Sequence, residues 1–161
     1  MVDFTILAIT GHVPWLNDLQ PHLHSLGGTR VVVAGTLDEA CELLDTTTPR
    51  LVLVDWITDD VSCETIDRLL WANTTLPRPA RVVVVTEAYR ADLAVTLFQM
   101  GVDEYVSKAE HASQFQAILG HLLSRDLEPA PEAATVAAAQ TSPVPVPKKR
   151  RASRVPVASP A

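Results

Sequence analysis

The chain has 161 residues, of which 47% are hydrophobic and 5% aromatic, and its formal net charge at pH 7 is -6. That length fits one domain plus an appendage, and the hydrophobic share is enough for a core. Cys41 and Cys63 could form at most one bridge and lack a zinc-ligand spacing, which excludes a disulfide scaffold and a structural zinc module. No apolar run approaches the roughly 18 residues that cross a bilayer. Because residues 1–12 also lack the basic start of a signal peptide, we expect a cytoplasmic protein without a transmembrane segment.

Four almost continuously apolar stretches, rich in β-branched residues, and one further short stretch are predicted to be strands. In chain order they are Phe4 to Ile9, Arg30 to Ala34, Leu51 to Trp56, Arg81 to Thr86 and Glu104 to Ser107. Strands that are apolar on both faces are typical of a parallel sheet covered on both sides.

Helical patterns follow each predicted strand. The first places Trp15, Leu19 and Leu23 on its inner face and ends at Gly27-Gly28, and the second opens with a capping-box pattern. The fourth places Leu93, Ala94, Leu97 and Phe98 inward, and a fifth follows the last strand. Strand and helix thus alternate five times, which predicts a doubly wound five-stranded parallel sheet, a flavodoxin-like (βα)5 fold.

The composition changes after Leu127. Residues 1–127 hold 17 acidic and 8 basic residues, whereas residues 128–161 hold 2 acidic and 5 basic residues and 7 of the 12 prolines. The last segment has no aromatic residue and too little apolar surface to offset the entropy of ordering. We therefore predict a domain over residues 1–127 and a disordered Pro/Ala-rich tail over residues 128–161.

A dense basic cluster lies in the predicted tail. It consists of Lys148, Lys149, Arg150, Arg151 and Arg154. Such a run is often only a solvated segment, but it could also dock on nucleic acid, an anionic membrane surface or an acidic partner. The R-R-A-S sequence resembles a basophilic Ser/Thr kinase site, and phosphorylation of Ser153 there would reduce the positive charge.

Polar side chains follow the predicted strands where a doubly wound sheet binds its ligands, at the carboxyl edge. Thr10 follows the first strand, Asp55 closes the third, Thr86 closes the fourth and Lys108 follows the fifth.

The order and spacing of these polar residues along the chain resemble the receiver domain of bacterial response regulators over residues 4–125. The resemblance rests on Asp55 ending LVLVDW, on Thr86 with Ala88 two positions later, and on GVDEYVSK over residues 101–108. It implies that Asp55 is the phosphoacceptor, taking a phosphoryl group from a phosphohistidine. Thr86 and Lys108 would contact the phosphoryl oxygens. Tyr105 would be the switch aromatic that turns inward when Thr86 moves toward the phosphoryl group.

Two positions depart from the family pattern. Thr10 and Gly11 stand where receivers carry the acid pair that helps to bind Mg²⁺, so Asp55 should hold the metal weakly unless Asp59 or Asp60 supplies a substitute carboxylate. Ala109 stands where the family has a proline after a cis peptide bond. A cis bond before a non-proline residue is costly, so we expect a trans peptide and a displaced Lys108 ammonium.

The leading hypothesis is a non-enzymatic, stand-alone signalling module that acts through protein–protein interaction. In one version a histidine kinase or phosphotransfer protein phosphorylates Asp55. In the other the module is a phosphorylation-independent adaptor for a downstream effector. The alternatives are a small flavodoxin-like binding protein or enzyme, although no phosphate-binding glycine motif occurs, and a nucleic-acid-binding protein that uses its tail.

Overall fold

The protein contains a five-stranded parallel sheet with the strand order β2-β1-β3-β4-β5. The computed structural model describes residues 3–57 and 61–125. The strands are β1 (Phe4–Ile9), β2 (Thr29–Ala34), β3 (Leu51–Asp55), β4 (Arg81–Thr86) and β5 (Glu104–Ser107). The predicted fold class is confirmed.

Six helices accompany the strands in the described ranges. They are α1 (Val13–His24), α2 (Leu37–Thr47), α3 (Cys63–Thr74), α4 (Ala91–Met100), α5 (Lys108–His111) and α6 (Phe115–Arg125). Local sequence sets their ends. Ser62 and Thr65 form a reciprocal capping box at the start of α3, and Gly101 ends α4 with a φ of 108°, a conformation that glycine adopts without steric cost.

The sheet separates two apolar cores. One is formed with α2, α3 and α4, and the other with α1 and α6. Successive residues of the central strands contribute to opposite cores, so that Val52 and Val54 pack on one side and Leu51 and Leu53 on the other. This double burial explains why these strands are continuously apolar in sequence.

The topology brings the polar strand ends together. β1 and β3 are neighbours at the centre of the sheet, and β4 and β5 follow in order on one side. The sheet therefore places Thr10, Asp55, Thr86 and Lys108 along a single carboxyl edge, next to the point where the strand order reverses.

Several details differ from the sequence expectations. Phe98, expected to face inward, is 44% exposed on α4. The pattern also missed the short helix α5, which begins directly after β5 because the Ser107 hydroxyl accepts from the Glu110 backbone N–H. The predicted boundary at Leu127, the tail with its basic cluster and Ser153, and Asp59 and Asp60 lie outside the described residues. Within residues 3–57 and 61–125, no helix is both long and apolar enough to cross a membrane.

Candidate functional site

Asp55 is the central side chain of the candidate site. It ends β3, and none of its surface is exposed. Its Oδ2 atom accepts a hydrogen bond from the Thr10 hydroxyl at 2.8 Å, and its Oδ1 atom accepts one from the Lys108 ammonium at 3.1 Å. Burial of a carboxylate is costly unless it is paired and hydrogen-bonded, and these two donors supply that compensation.

Thr10 is a fixed donor to the aspartate. It lies directly after β1, next to β3, and is only 5% exposed. Its backbone N–H donates to the Ala34 carbonyl, and its hydroxyl oxygen accepts from the His12 N–H at 2.9 Å. The hydroxyl proton is thereby directed to Asp55. From the sequence, Thr10 marked only a missing acid, since nothing in the pattern distinguishes a ligand hydroxyl from an ordinary strand-end threonine.

Lys108 is held on three sides. Besides Asp55, its ammonium contacts the Glu87 carboxylate at 2.8 Å and lies 4.6 Å from the centroid of the Trp15 ring. No cis peptide occurs in the described ranges, so the bond before Ala109 is trans as expected. The displaced ammonium that we expected is not observed, since Nζ of Lys108 lies 3.1 Å from Oδ1 of Asp55.

Two tryptophans lie near the site. Trp15, expected on the inner face of α1, is half-buried: it packs against the core shared by α1 and α6 and also lies against the Lys108 ammonium. Trp56, which follows Asp55, packs against the core shared with α2, α3 and α4. The sequence signal for a cation–aromatic contact is absent, because Trp15 and Lys108 are 93 positions apart.

Thr86 and Tyr105 form a second polar group along the same edge. The Thr86 hydroxyl donates to the Ala88 carbonyl at 2.9 Å and lies 3.2 Å from the Tyr105 hydroxyl, which also accepts from the Arg90 N–H. Tyr105 is 3% exposed and so already points inward. Among the described residues no hydrogen bond joins Thr86 to Asp55. The predicted coupling of Thr86 and Tyr105 to phosphorylation stays a prediction.

His111 holds the turn from β5 into α5, a role that its sequence pattern does not indicate. The Ser107 backbone N–H donates to Nδ1 of His111 at 2.9 Å, and the Ser107 hydroxyl donates to the Glu87 carbonyl. The His111 ring packs edge-on against Tyr89, whose ring lies 5.2 Å from that of Tyr105. These contacts fix the residue that precedes Lys108.

An exposed ion pair lies at the start of α4. The hydrogen bond between Arg90 and Asp92 raises the pKa of the guanidinium and lowers the pKa of the carboxyl from their ordinary values. The two side chains are 60% and 72% exposed, so this pair is screened by water and salt.

Among the described residues, the groups around Asp55 do not fit Mg²⁺. That ion is usually held by one or two carboxylates with several waters, whereas both oxygens of Asp55 already accept from a hydroxyl and an ammonium. The second nearby carboxylate, Glu87, is paired with the same ammonium. Residues 3–57 and 61–125 contain no group of three His, Cys, Asp or Glu side chains arranged to hold a metal.

The fold is shared with solved receiver domains. A two-component response regulator from Clostridium difficile matches with a TM-score of 0.67 and 18% identity over 78% of this chain and 100% of that chain. A response regulator from Thermotoga maritima matches at 0.64 and 20%, covering 76% and 99% of the two chains. A CheY-like response regulator receiver domain protein from Methanospirillum hungatei JF-1 matches at 0.63 and 20%, covering 80% and 100%.

No family model matches the sequence, and neither does any curated protein. At these low identities the structural matches show the fold alone. The described part of the chain therefore has the fold of a response-regulator receiver domain, and the low identities leave room for a site that differs from theirs.

Proposed function

We propose that this chain is a receiver-like signalling module that docks on partner proteins in a fixed conformational state, without phosphorylation of Asp55. One observation carries the proposal. The Asp55 carboxylate is completely buried, and each of its oxygens accepts a hydrogen bond from a neighbouring side chain.

Phosphorylation needs a carboxylate oxygen that can reach a phosphorus atom. Here Asp55 has no exposed surface and Thr10 and Lys108 lie against its two oxygens, so such an approach would require these side chains to move. The transferring phosphoryl group would also bring charge that needs neutralising cations. Lys108 is the one cation at Asp55 among the described residues, and its charge is already shared between Asp55 and Glu87.

The phosphorylated version keeps one argument in its favour. The Lys108 ammonium contacts Asp55, and Tyr105 is buried beside Thr86, as a module that responds to a phosphoryl group would need. In the fixed state that we propose, these residues hold the inward form of Tyr105 through the Thr86 and Arg90 hydrogen bonds instead of waiting for a phosphoryl group. The partner is then a downstream effector that recognises this single form.

The test is the intact mass of the protein after incubation with acetyl phosphate, with and without Mg²⁺. We expect no added phosphoryl group on wild type, the same result for Asp55→Asn, and full labelling of an ordinary receiver domain in the same buffer. A single phosphoryl group on wild type that disappears in Asp55→Asn would contradict the fixed state and favour the phosphorylated version.

A further inference from the structure

A cavity of about 320 Å³ lies between α1, the end of β4 and the turn into α5, with Lys108 in its lining. Its floor includes Leu19, Val85 and Phe115, which are 2%, 1% and 8% exposed. Asp55 does not line it. Concave, mainly apolar cavities of roughly 300–1,000 Å³ are the usual size for small-molecule sites.

Trp15 gives the cavity an ordered aromatic wall. The Lys108 ammonium lies over its ring, and that ammonium is in turn held by Asp55 and Glu87. The indole is therefore restrained before any ligand arrives, which lowers the entropic cost of binding. With Phe115 also in the lining, the cavity offers two aromatic surfaces to a flat ring.

The charges around the cavity favour a cation. Asp18 and Glu87 line it and are exposed, with 61% of the Glu87 side chain accessible. One carboxylate, the buried Asp55, is enough to balance the positive charge of Lys108, so Asp18 and Glu87 leave a net negative charge around the cavity even though Glu87 also contacts that ammonium. The start of α1 adds a partial positive charge of about half a unit, which is smaller than the full negative charges of Asp18 and Glu87. The remaining titratable groups in the lining are the imidazoles of His12 and His22.

We infer that this cavity binds a flat aromatic amine, with the ring between Trp15 and Phe115 and the ammonium group toward Asp18 and Glu87. The ligand would lie against Lys108, so its binding would reach the buried Asp55 contact through one side chain. This inference does not depend on whether Asp55 accepts a phosphoryl group.

The probe is tryptamine, a flat aromatic amine, titrated into the full chain and followed through the backbone amide resonances. Indole-3-acetate, with the same ring and the opposite charge, is the matched ligand control. We expect tryptamine to shift resonances of cavity residues such as Leu19 and Ala112, and to bind at least about fivefold more tightly than indole-3-acetate, the effect of roughly one favourable exposed charge contact.

Three variants locate the binding. Trp15→Leu keeps an apolar side chain but removes the aromatic ring, and it should weaken tryptamine binding at least about tenfold, as loss of an aromatic anchor does. Asp18→Asn should weaken it about fivefold. Trp71→Ala, which removes an indole that is 74% exposed on α3, should leave it unchanged.

Three results would overturn the inference. These are no shift in the folded wild type at roughly millimolar tryptamine, equal binding of the two probes, and loss of binding in Trp71→Ala but not in Trp15→Leu. Each can occur whether or not the protein takes a phosphoryl group, so the outcome is separate from the acetyl phosphate test.

Discussion

The two ends of the sheet bury polar groups in different ways. Near the amino edge, the Asn73 side chain is 6% exposed and makes two hydrogen bonds of 2.8 Å with the backbone of Ala80, one as donor and one as acceptor. At the carboxyl edge, buried Asp55 is held by the side chains of Thr10 and Lys108. The first arrangement is neutral and pairs a side chain with backbone, and the second is charged and joins three side chains.

The two arrangements differ in what they contribute to stability. Asn73 satisfies the backbone of Ala80, just before β4, at little electrostatic cost, which is the common use of a buried amide. A buried ion pair adds little to the free energy of unfolding, since well-packed apolar residues in its place often give a protein that is equally stable. The carboxyl edge therefore carries a buried ion pair that stability alone does not explain, and the following substitutions measure how far the two ends differ.

The largest effect is expected for Lys108→Met, which keeps the side-chain volume but leaves the Asp55 carboxylate without its cation. Breaking a buried pair from one side costs about 3–5 kcal/mol. Urea unfolding should show that loss in the free energy of unfolding, and Asp55→Asn/Lys108→Met should recover most of it. If the single variant is as stable as wild type, Asp55 is not a buried, paired carboxylate.

Asn73→Ala should come next. It leaves the buried N–H and carbonyl of Ala80 without their hydrogen-bond partner, which should lower the free energy of unfolding by about 2–3 kcal/mol in total. The control is Asn17→Ala, at an exposed position of α1, which should change the free energy of unfolding by less than about 0.5 kcal/mol. Equal effects of the two alanine variants in thermal unfolding would mean that the amino edge does not depend on this amide.

Thr10→Val is expected to cost about 1–2 kcal/mol, because it removes the neutral donor to Oδ2 of Asp55 while preserving shape. Thr10→Ser retains the hydroxyl and should lose less. Chemical denaturation of these two variants separates the contribution of the hydrogen bond from that of side-chain packing. A valine variant more stable than the serine variant would show that packing dominates at this position.

Arg68→Ala gives the smallest effect and the baseline for an ion pair in water. The Arg68 and Asp38 side chains are 58% and 71% exposed and 2.9 Å apart. Pairs of this kind contribute about 0–1 kcal/mol, and this contribution should decrease as salt is added. A loss comparable to that of Lys108→Met would remove the contrast between buried and exposed pairs.

The sheet and most of its helices could be predicted, because β1, β3 and β4 are buried on both faces and their sequences are therefore continuously apolar. The carboxyl-edge set was also predictable from strand ends, since topology alone brings Asp55 and Lys108 together. The orientation of the side chains was not. The contacts of Lys108 with Trp15 and Glu87 depend on where α5 begins. This helix has only four residues and is held in part by His111, and so short a segment looks like an ordinary loop in the sequence.

The most direct test of the fixed-state account compares wild type with the double variant Thr10→Asp/Gly11→Asp, which restores the acid pair. A Cβ added at Gly11 meets no atom within 4 Å, so the loop can accept the new side chain. With acetyl phosphate and Mg²⁺, intact mass should show a phosphoryl group on the double variant, lost again when Asp55→Asn is added, and none on wild type. Labelling of wild type at Asp55, or a folded double variant that takes no label, would contradict the account.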